Sequence, residues 1–151
     1  SPLIELLHEV TRRNCVNLVI LPSRRTPAEV TSTFKSAFGK QHFVWDGRGA
    51  NPYLFALATA GHVVVTGDSV SMISESTATG RPLHVFYLPQ RRRARRLERF
   101  HESFESYGYT RRFTGRLDQW TYTPPNETER VAGIIRERLS RMGDSVVRRA
   151  A

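Results

Sequence analysis

The sequence predicts an α/β fold: a Rossmann-like, doubly wound parallel sheet of about four strands with helices on both faces. Short apolar runs rich in β-branched residues alternate with segments of helical spacing, and helix start and stop signals stand at their borders. The 151 residues, 39% hydrophobic and 25% charged, suit one globular domain with one hydrophobic core. This composition excludes disordered, collagen-like and disulfide-scaffold proteins.

Each strand candidate has the length of a strand that is buried on both faces of a parallel sheet. The four candidates are Asn17–Leu21, His42–Trp45, His62–Thr66 and Leu83–Leu88. Because helices separate them, right-handed crossovers would join neighbouring parallel strands.

The first two helices on the chain have different signals. One helix begins near Leu3. The next is announced by Thr26, Pro27 and Glu29, which supply a capping hydroxyl, a first-position proline and a third-position carboxylate, and Gly39 supplies its end.

Asn51 and Pro52 predict a further helix over Tyr53–Ala60, and another begins near Ser69 and ends at Gly80–Pro82. Two later helices are predicted over Arg92–Tyr107, with Leu97, Phe100, Phe104 and Tyr107 along one side, and from a cap at Asn126 to about Arg141.

The segment Thr110–Pro125 is predicted to be a long surface loop held by three aromatic side chains, Phe113, Trp120 and Tyr122. Residues 1–142 are expected to form the single domain, and residues 143–151 a frayed tail.

The net charge of +9 arises almost entirely from arginine, since Lys35 and Lys40 are the only lysines among 23 basic residues. Arginine suits nucleotides, nucleic acid, acidic lipid or an acidic protein, because its guanidinium binds phosphates and carboxylates bidentately. The excess is concentrated in six residues, Arg91, Arg92, Arg93, Arg95, Arg96 and Arg99.

We expect these six arginines to be largely exposed. They form either a solvated helix face or a surface for an acidic protein or an anionic membrane. Nucleic acid is the least favoured partner, because no aromatic residues alternate with the arginines.

The single cysteine, Cys15, cannot form an internal disulfide, so a buried, inert thiol and a cytoplasmic location are expected. The longest uncharged run, Gly49–Gly67, is interrupted by polar and helix-breaking residues, and the chain opens without a secretory signal pattern. Peripheral association with a membrane is left open by the basic helix.

Ligands of open parallel sheets bind at the carboxyl ends of the strands. After the first strand, Ser23, Arg24, Arg25 and Thr26 place two guanidiniums and two hydroxyls before a helix start, where an anion is favoured. The alternative is an ordinary capped loop with solvated arginines.

After the third strand, a glycine turn and small hydroxyl residues open a helix that carries Glu75. Its first turn, with Ser69, Val70 and Ser71, could hold a diphosphate, and Glu75, on the same face as Ser71, could accept hydrogen bonds from sugar hydroxyls. Capping serines and a solvated glutamate are the alternative.

The two loops are expected to meet in one crevice at the carboxyl edge of the sheet. Its other lining residues are Asp46, Gly47, Asn51, Pro52, Tyr53, Gly67 and Asp68. Asp46 and Asp68 could instead only hold their loops through bonds to the backbone.

Other chemistries find no support in the sequence. The five histidines are scattered without metal-ligand spacing, so no metal site is predicted. There is no G-x-S-x-G elbow, dinucleotide fingerprint or P-loop. No catalytic residues are assigned, and no cofactor is expected.

Several ordered motifs resemble the bacterial and plant family of mitochondrial-fission factors named for elongated mitochondria, and the resemblance covers most of the chain. These motifs are Ser23–Pro27, Val44–Gly47, Asn51–Tyr53, Val65–Glu75, Ala78–Pro82, Phe100–His101 and Gly115–Leu117. The family in turn resembles two-Rossmann glycosyltransferases of the GT-B type, and the chain looks like their carboxyl-terminal domain.

The resemblance implies that Ser69, Val70 and Ser71 meet phosphate, that Glu75 meets the ribose, and that Arg24 and Arg25 neutralise the diphosphate. The implied function is nucleotide-sugar binding in a glycosyltransferase-like protein. The alternative is a non-catalytic recruitment module that uses the basic helix. The family's amino-terminal domain, an expected partner, and the opening strand of its carboxyl-terminal domain lie outside these 151 residues, so this chain alone is expected to be inactive.

Overall fold

The computed structural model describes residues 1–89, 94–126, 129 and 131–139. Helices and parallel strands alternate there, which confirms the predicted Rossmann-like α/β fold. The helices are α1 (Pro2–Arg13), α2 (Ala28–Phe38), α3 (Tyr53–Thr59), α4 (Val70–Thr77), α5 (Arg95–Ser106) and α6 (131–139). The strands are β1 (Val19–Ile20), β2 (Phe43–Val44), β3 (Val63–Thr66), β4 (Leu83–Phe86) and β5 (Thr110–Arg112).

The described strands form two sheets. In the first, β1 pairs parallel with β2, and Val19 lies opposite Phe43. In the second, β4 lies between β3 and β5, again with all strands parallel. The four predicted strands are all present, but the structure distributes them over two sheets and adds a fifth.

The additional strand, β5, lies within the segment predicted to be a loop. Two consecutive arginines, Arg111 and Arg112, gave no apolar strand pattern, and pairing with β4 decides the conformation instead. The rest of the segment is held as expected: Phe113 is buried, and Trp120 Nε1 donates to Gly108 O at 3.1 Å.

Two clusters of buried side chains replace the single core that was expected. One contains Leu7 and Val10 of α1, Phe38 of α2 and Phe113. The other contains Val65, Ile73, Leu83 and Val85. The reason is the pleat of β3, whose neighbouring residues Val64 and Val65 belong to different clusters because successive side chains point to opposite faces.

Two features are more exposed than predicted. Val19 of β1 is 52% and Phe43 of β2 is 51% exposed, so these strands are not buried on both faces. Their outward side chains lack a covering layer in the described part of the chain. Cys15, expected to be buried, is exposed in the connection between α1 and β1.

The helix ends follow the predicted signals in part. Asn51 Oδ1 accepts the Tyr53 N–H at 3.0 Å at the start of α3, and Asn126 Oδ1 accepts the Glu129 N–H at 3.2 Å just before α6. Thr26 does not cap α2: its Oγ1 accepts the Ser23 N–H at 2.9 Å, and α2 begins after Pro27.

The remaining boundaries differ by short distances. α5 begins at Arg95, and the predicted start at Arg92 lies outside the described residues, as do Arg141 and the tail 143–151. α4 ends at Thr77, ahead of Gly80, whose φ of +67° favours glycine. None of the described helices combines the length and hydropathy needed to cross a bilayer.

Candidate functional site

The turn that follows β3 is fixed by hydrogen bonds to β4 and α5. Gly67 N–H donates to Phe86 O at 2.8 Å, and His101 Nε2 of α5 lies 2.8 Å from Gly67 O, so Nε2 is the protonated nitrogen that donates. A Cβ on Gly67 would lie 3.1 Å from Cδ1 of Tyr87. A larger residue at this position would therefore require the Tyr87 ring to shift by a few tenths of an ångström.

The helix that opens after this turn, α4, has an uncapped amino end. Ser69 precedes the helix but makes no side-chain capping bond, and its backbone carbonyl accepts from Ile73 N–H at 3.1 Å. The N–H groups of Val70, Ser71 and Met72 have no partner among the described residues. Val70 and Ser71 are exposed, so unpaired donors and the positive end of the helix dipole are available to an anion.

Tyr53 and Glu75 connect the helices that follow β2 and β3. The Tyr53 hydroxyl donates to Glu75 Oε2 at 2.7 Å. Burial, reinforced by this bond to a carboxylate, raises the pKa of Tyr53 to about 12, so the phenol stays a neutral donor. Glu75 remains exposed, and its carboxylate keeps capacity for a further donor. The structure thus brings together two side chains that the sequence placed in separate loops.

The loop after β2 is shaped by Asp46. Its Oδ1 accepts the Arg48 N–H at 3.0 Å, and Arg48 O accepts from Trp45 Nε1 at 2.9 Å. Asp46 thus holds its own loop, which is the alternative weighed for it. Asp68 is exposed and has no hydrogen-bond or ion-pair partner within the described residues, so it does not hold its loop. Gly47 and Pro52 belong to the same loop between β2 and α3, as does Asn51, whose side chain accepts the Tyr53 N–H.

The loop after β1 is held by hydrogen bonds among its own residues. Ser23 Oγ lies 3.2 Å from Thr26 Oγ1 and accepts the Arg25 N–H at 3.2 Å. Arg24 and Arg25 are exposed and take part in no ion pair among the described side chains. No hydrogen bond or ion pair in the described part of the chain joins this loop to Gly67–Ser71. A shared ligand for the two loops remains a prediction.

The basic helix presents its cations to solvent. Arg95, Arg96 and Arg99 are exposed as expected, and Arg91, Arg92 and Arg93 lie outside the described residues. On the other side of α5, Phe100 and Phe104 pack against the second core cluster. Tyr107, predicted to continue this apolar side, is 68% exposed instead, because it follows the last residue of α5.

His101 is the supporting residue that the sequence left without a role. It is 6% exposed, and the Tyr87 ring lies edge-on to it with centroids 4.9 Å apart. One signal was present: a histidine beside Phe100, on the inward side of an amphipathic helix, needs a hydrogen-bond partner when buried. Its partner is the Gly67 carbonyl, which the sequence alone could not identify.

The structure also pairs two of the histidines that appear scattered in the sequence. His62 Nδ1 lies 3.4 Å from His84 Nε2, and Gln119 Nε2 lies 2.8 Å from His62 Nε2. His62 precedes β3, so this pair belongs to the amino edge of the sheet, away from the candidate site. Within the described residues, no group of three or more His, Cys, Asp or Glu side chains could hold a metal ion.

These features define a Rossmann-like α/β domain with its candidate ligand site beyond the carboxyl ends of the strands. Residues 1–139 match the family described as Mitochondrial fission ELM1. The chain belongs to this family.

Two curated relatives extend the comparison. The chain is 35% identical over 137 residues to "Mitochondrial fission protein ELM1" of Arabidopsis thaliana, covering 87% of the chain and 32% of the relative. It is 32% identical over 138 residues to "Uncharacterized protein RP120" of Rickettsia prowazekii, covering 87% and 39%. The chain thus spans less than two fifths of either relative. No solved structure matches it significantly.

Proposed function

We propose that this chain is the nucleoside-diphosphate-binding domain of a glycosyltransferase-like protein, with a nucleotide sugar as its ligand. The observation that supports this most directly is the start of α4, where three backbone N–H groups lack partners and Ser69 makes no capping bond. A diphosphate would satisfy these donors and interact favourably with the helix dipole.

The residues around α4 supply the rest of the proposed recognition. Glu75 lies about one turn further along the helix, where its carboxylate can accept hydrogen bonds from ribose hydroxyls, and Tyr53 orients it. Arg24 and Arg25, exposed and outside any described ion pair, are the proposed counter-charges for the diphosphate. In this proposal Glu75 binds hydroxyls and does not act as a base.

Titration calorimetry with UDP, GDP, ADP and their common sugar conjugates, using the full-length protein, tests this function. The Glu75→Gln and Tyr53→Phe variants should each weaken binding of the preferred nucleotide by about tenfold, the equivalent of about 1.4 kcal/mol for one hydrogen bond to a charged group. Glu102→Gln, an exposed carboxylate on α5, is the matched control and should leave affinity unchanged. If all three variants bind the nucleotide with the affinity of the parent protein, Glu75 is not part of the site.

The second candidate function, recruitment to an acidic surface, is favoured by the exposed arginines Arg95, Arg96 and Arg99. They lie in the first turns of α5, where the helix dipole disfavours positive charge, so helix stability does not explain their position. The name of the Arabidopsis relative links that protein to mitochondrial fission. A peripheral contact of this chain with an anionic membrane is the corresponding proposal.

Flotation with vesicles containing an anionic phospholipid tests the recruitment proposal. Binding should weaken as salt rises from about 0.05 to 0.5 M, because exposed charges act over a Debye length of about 10 Å at 0.1 M. Changing Arg95, Arg96 and Arg99 to Gln should reduce binding, whereas changing Arg12, Arg81 and Arg116, also exposed, should have a smaller effect. Binding that ignores both salt and these substitutions contradicts the proposal.

A further inference from the structure

The peptide group between Gly67 and Asp68 is oriented by a buried side chain. His101 Nε2 of α5 donates to Gly67 O at 2.8 Å, and His101 is almost completely buried. We propose that His101 is a positioning residue of the anion site at the start of α4: it orients this peptide group so that the Asp68 N–H becomes a further donor to the bound diphosphate. The inference rests on the proposed function.

The direction of the Asp68 N–H follows from the direction of the Gly67 carbonyl. A trans peptide group is planar, and its N–H and C=O point in opposite directions. The described residues contain no cis peptide bond. Because Gly67 O points at the ring of His101, the Asp68 N–H points away from that ring. Gly67 is buried and Asp68 is exposed, so this N–H is directed out of the core.

The Asp68 N–H is also an unused donor close to the start of α4. It has no hydrogen-bond partner among the described residues. The next N–H along the chain, that of Ser69, donates to Thr66 O at 3.2 Å, which holds the turn on its other side. The three unpaired N–H groups of the first turn of α4 follow directly. Neighbouring backbone N–H groups that lack partners in a turn before a helix are typical of anion sites.

The His101 ring is itself held in place by the packing of α5. The Tyr87 ring lies edge-on to it, with centroids 4.9 Å apart. The Tyr87 hydroxyl donates to Oε1 of Glu105, one helical turn after His101, at 2.6 Å. Phe100 and Phe104 of α5 pack against the second core cluster. Rotation of the ring away from the turn would therefore disturb buried contacts.

The two ring nitrogens of His101 have different surroundings, which assigns the tautomer. Nε2 faces a carbonyl oxygen, which can only accept, whereas Nδ1 is buried and has no partner among the described residues. Nε2 therefore carries the proton. Phenylalanine in this position keeps an aromatic ring but has no donor, and glutamine keeps an N–H donor at the end of its side chain. These two variants separate the hydrogen bond from the packing.

Titration calorimetry of the full-length protein with inorganic pyrophosphate and with the preferred nucleoside diphosphate tests the proposal. His101→Phe should weaken both ligands by the same factor, about tenfold for one hydrogen bond to a charged group. His101→Gln should bind both more tightly than His101→Phe does. Glu75→Gln should weaken the nucleoside diphosphate more than pyrophosphate, because its proposed contact is the ribose. Glu102→Gln, next to His101 but exposed, is the matched control and should change neither affinity.

The outcomes separate this inference from the proposed function. If the parent protein binds both ligands and His101→Phe binds them equally well, the inference is overturned and the proposed function stands. Equal losses in His101→Phe and His101→Gln would assign the effect to packing and also overturn the inference. If the parent protein binds neither ligand, the proposed function fails and the inference fails with it.

A second pair of variants tests the Asp68 N–H without touching the core. Asp68→Pro removes this N–H and breaks no hydrogen bond within the described residues, and Asp68 has no positive φ that would exclude proline. Asp68→Ala removes the same carboxylate but keeps the N–H, so it is the reference. Asp68→Pro should bind pyrophosphate about tenfold more weakly than Asp68→Ala, again the loss of one hydrogen bond to a charged group. Equal affinity of the two variants would show that this N–H does not contact the anion.

Discussion

His84 shows how one buried side chain couples the fold to pH. It is 1% exposed and packs edge-on against Trp120, with ring centroids 5.0 Å apart. Burial lowers the pKa of His84 to about 4; neighbouring His62 and Arg111 act in the same direction, and Asp118 opposes them. Burial also lowers the pKa of His62. Both imidazoles are therefore neutral in the folded protein near pH 7.

We predict that stability falls as the pH drops from about 6.5 towards 4. In this window the unfolded chain binds a proton at His84 that the folded chain does not, so protonation favours unfolding. At about 1.4 kcal/mol per pKa unit, the loss amounts to roughly 3 kcal/mol by pH 4, and His84 adds no pH dependence above about pH 7.5. Urea unfolding at several pH values measures this loss of stability.

The matched variant for this prediction is His84→Gln, which keeps a polar side chain but removes the titrating group. Its stability should change less between pH 7 and 5 than that of the parent chain. An identical slope in the variant and the parent would show that His84 is not responsible.

At the scale of elements, the starts of α3 and α4 distinguish a structural residue from a proposed binding residue. The first N–H group of α3, that of Tyr53, donates to the Asn51 side chain, whereas no side chain accepts the first N–H groups of α4, although Ser69 stands at its start. Asn51→Ala should therefore cost about 1 kcal/mol of stability, and Ser69→Ala less than about 0.5 kcal/mol.

Ligand binding should show the reverse order at these two positions. Ser69→Ala should weaken nucleotide binding in the full-length protein if its hydroxyl contacts phosphate, and Asn51→Ala should affect it less. Thermal unfolding with and without nucleotide measures both quantities. A large loss of stability in Ser69→Ala, without any loss of binding, would make Ser69 a structural cap.

The sequence predicted the elements that carry strong local signals and missed those fixed by tertiary contacts. Val63–Thr66 and Leu83–Phe86 were predictable because continuous β-branched and apolar runs favour buried strands. β5 was not predictable, since Arg111 and Arg112 adopt strand conformation only through pairing with β4. Cys15 was expected inside on residue type alone, but its place in a surface connection decides its exposure.

The sequence was enough to predict which loops form the candidate site, but not which of their side chains contact one another. The positions of Ser69 and Glu75 follow from a glycine turn that opens a helix after a strand. The bond from Tyr53 to Glu75 and the support of Gly67 by His101 join residues 22 and 34 positions apart, and no local pattern encodes such partners.

For the whole molecule, we predict that the 151-residue chain alone does not transfer or release sugar. Transfer requires donor and acceptor to be held about 3–3.5 Å apart by a closed site, and a general base within hydrogen-bond reach. In the candidate site, the Glu75 carboxylate already accepts a hydrogen bond from Tyr53, and Asp46 accepts one from its own loop, so we expect neither to act as the general base.

Chromatographic detection of sugar release from several nucleotide sugars measures this activity, with the full-length protein assayed in parallel. Turnover by the 151-residue chain that one substitution abolishes would place the catalytic machinery in these residues.

The exposed thiol of Cys15 makes this molecule convenient to label. It is the single cysteine of the 151 residues, so a maleimide fluorophore attaches at one position without any substitution. That position lies four residues before Val19, in the connection between α1 and β1. An environment-sensitive dye there would report, in real time and at low concentration, when this connection changes conformation or becomes covered.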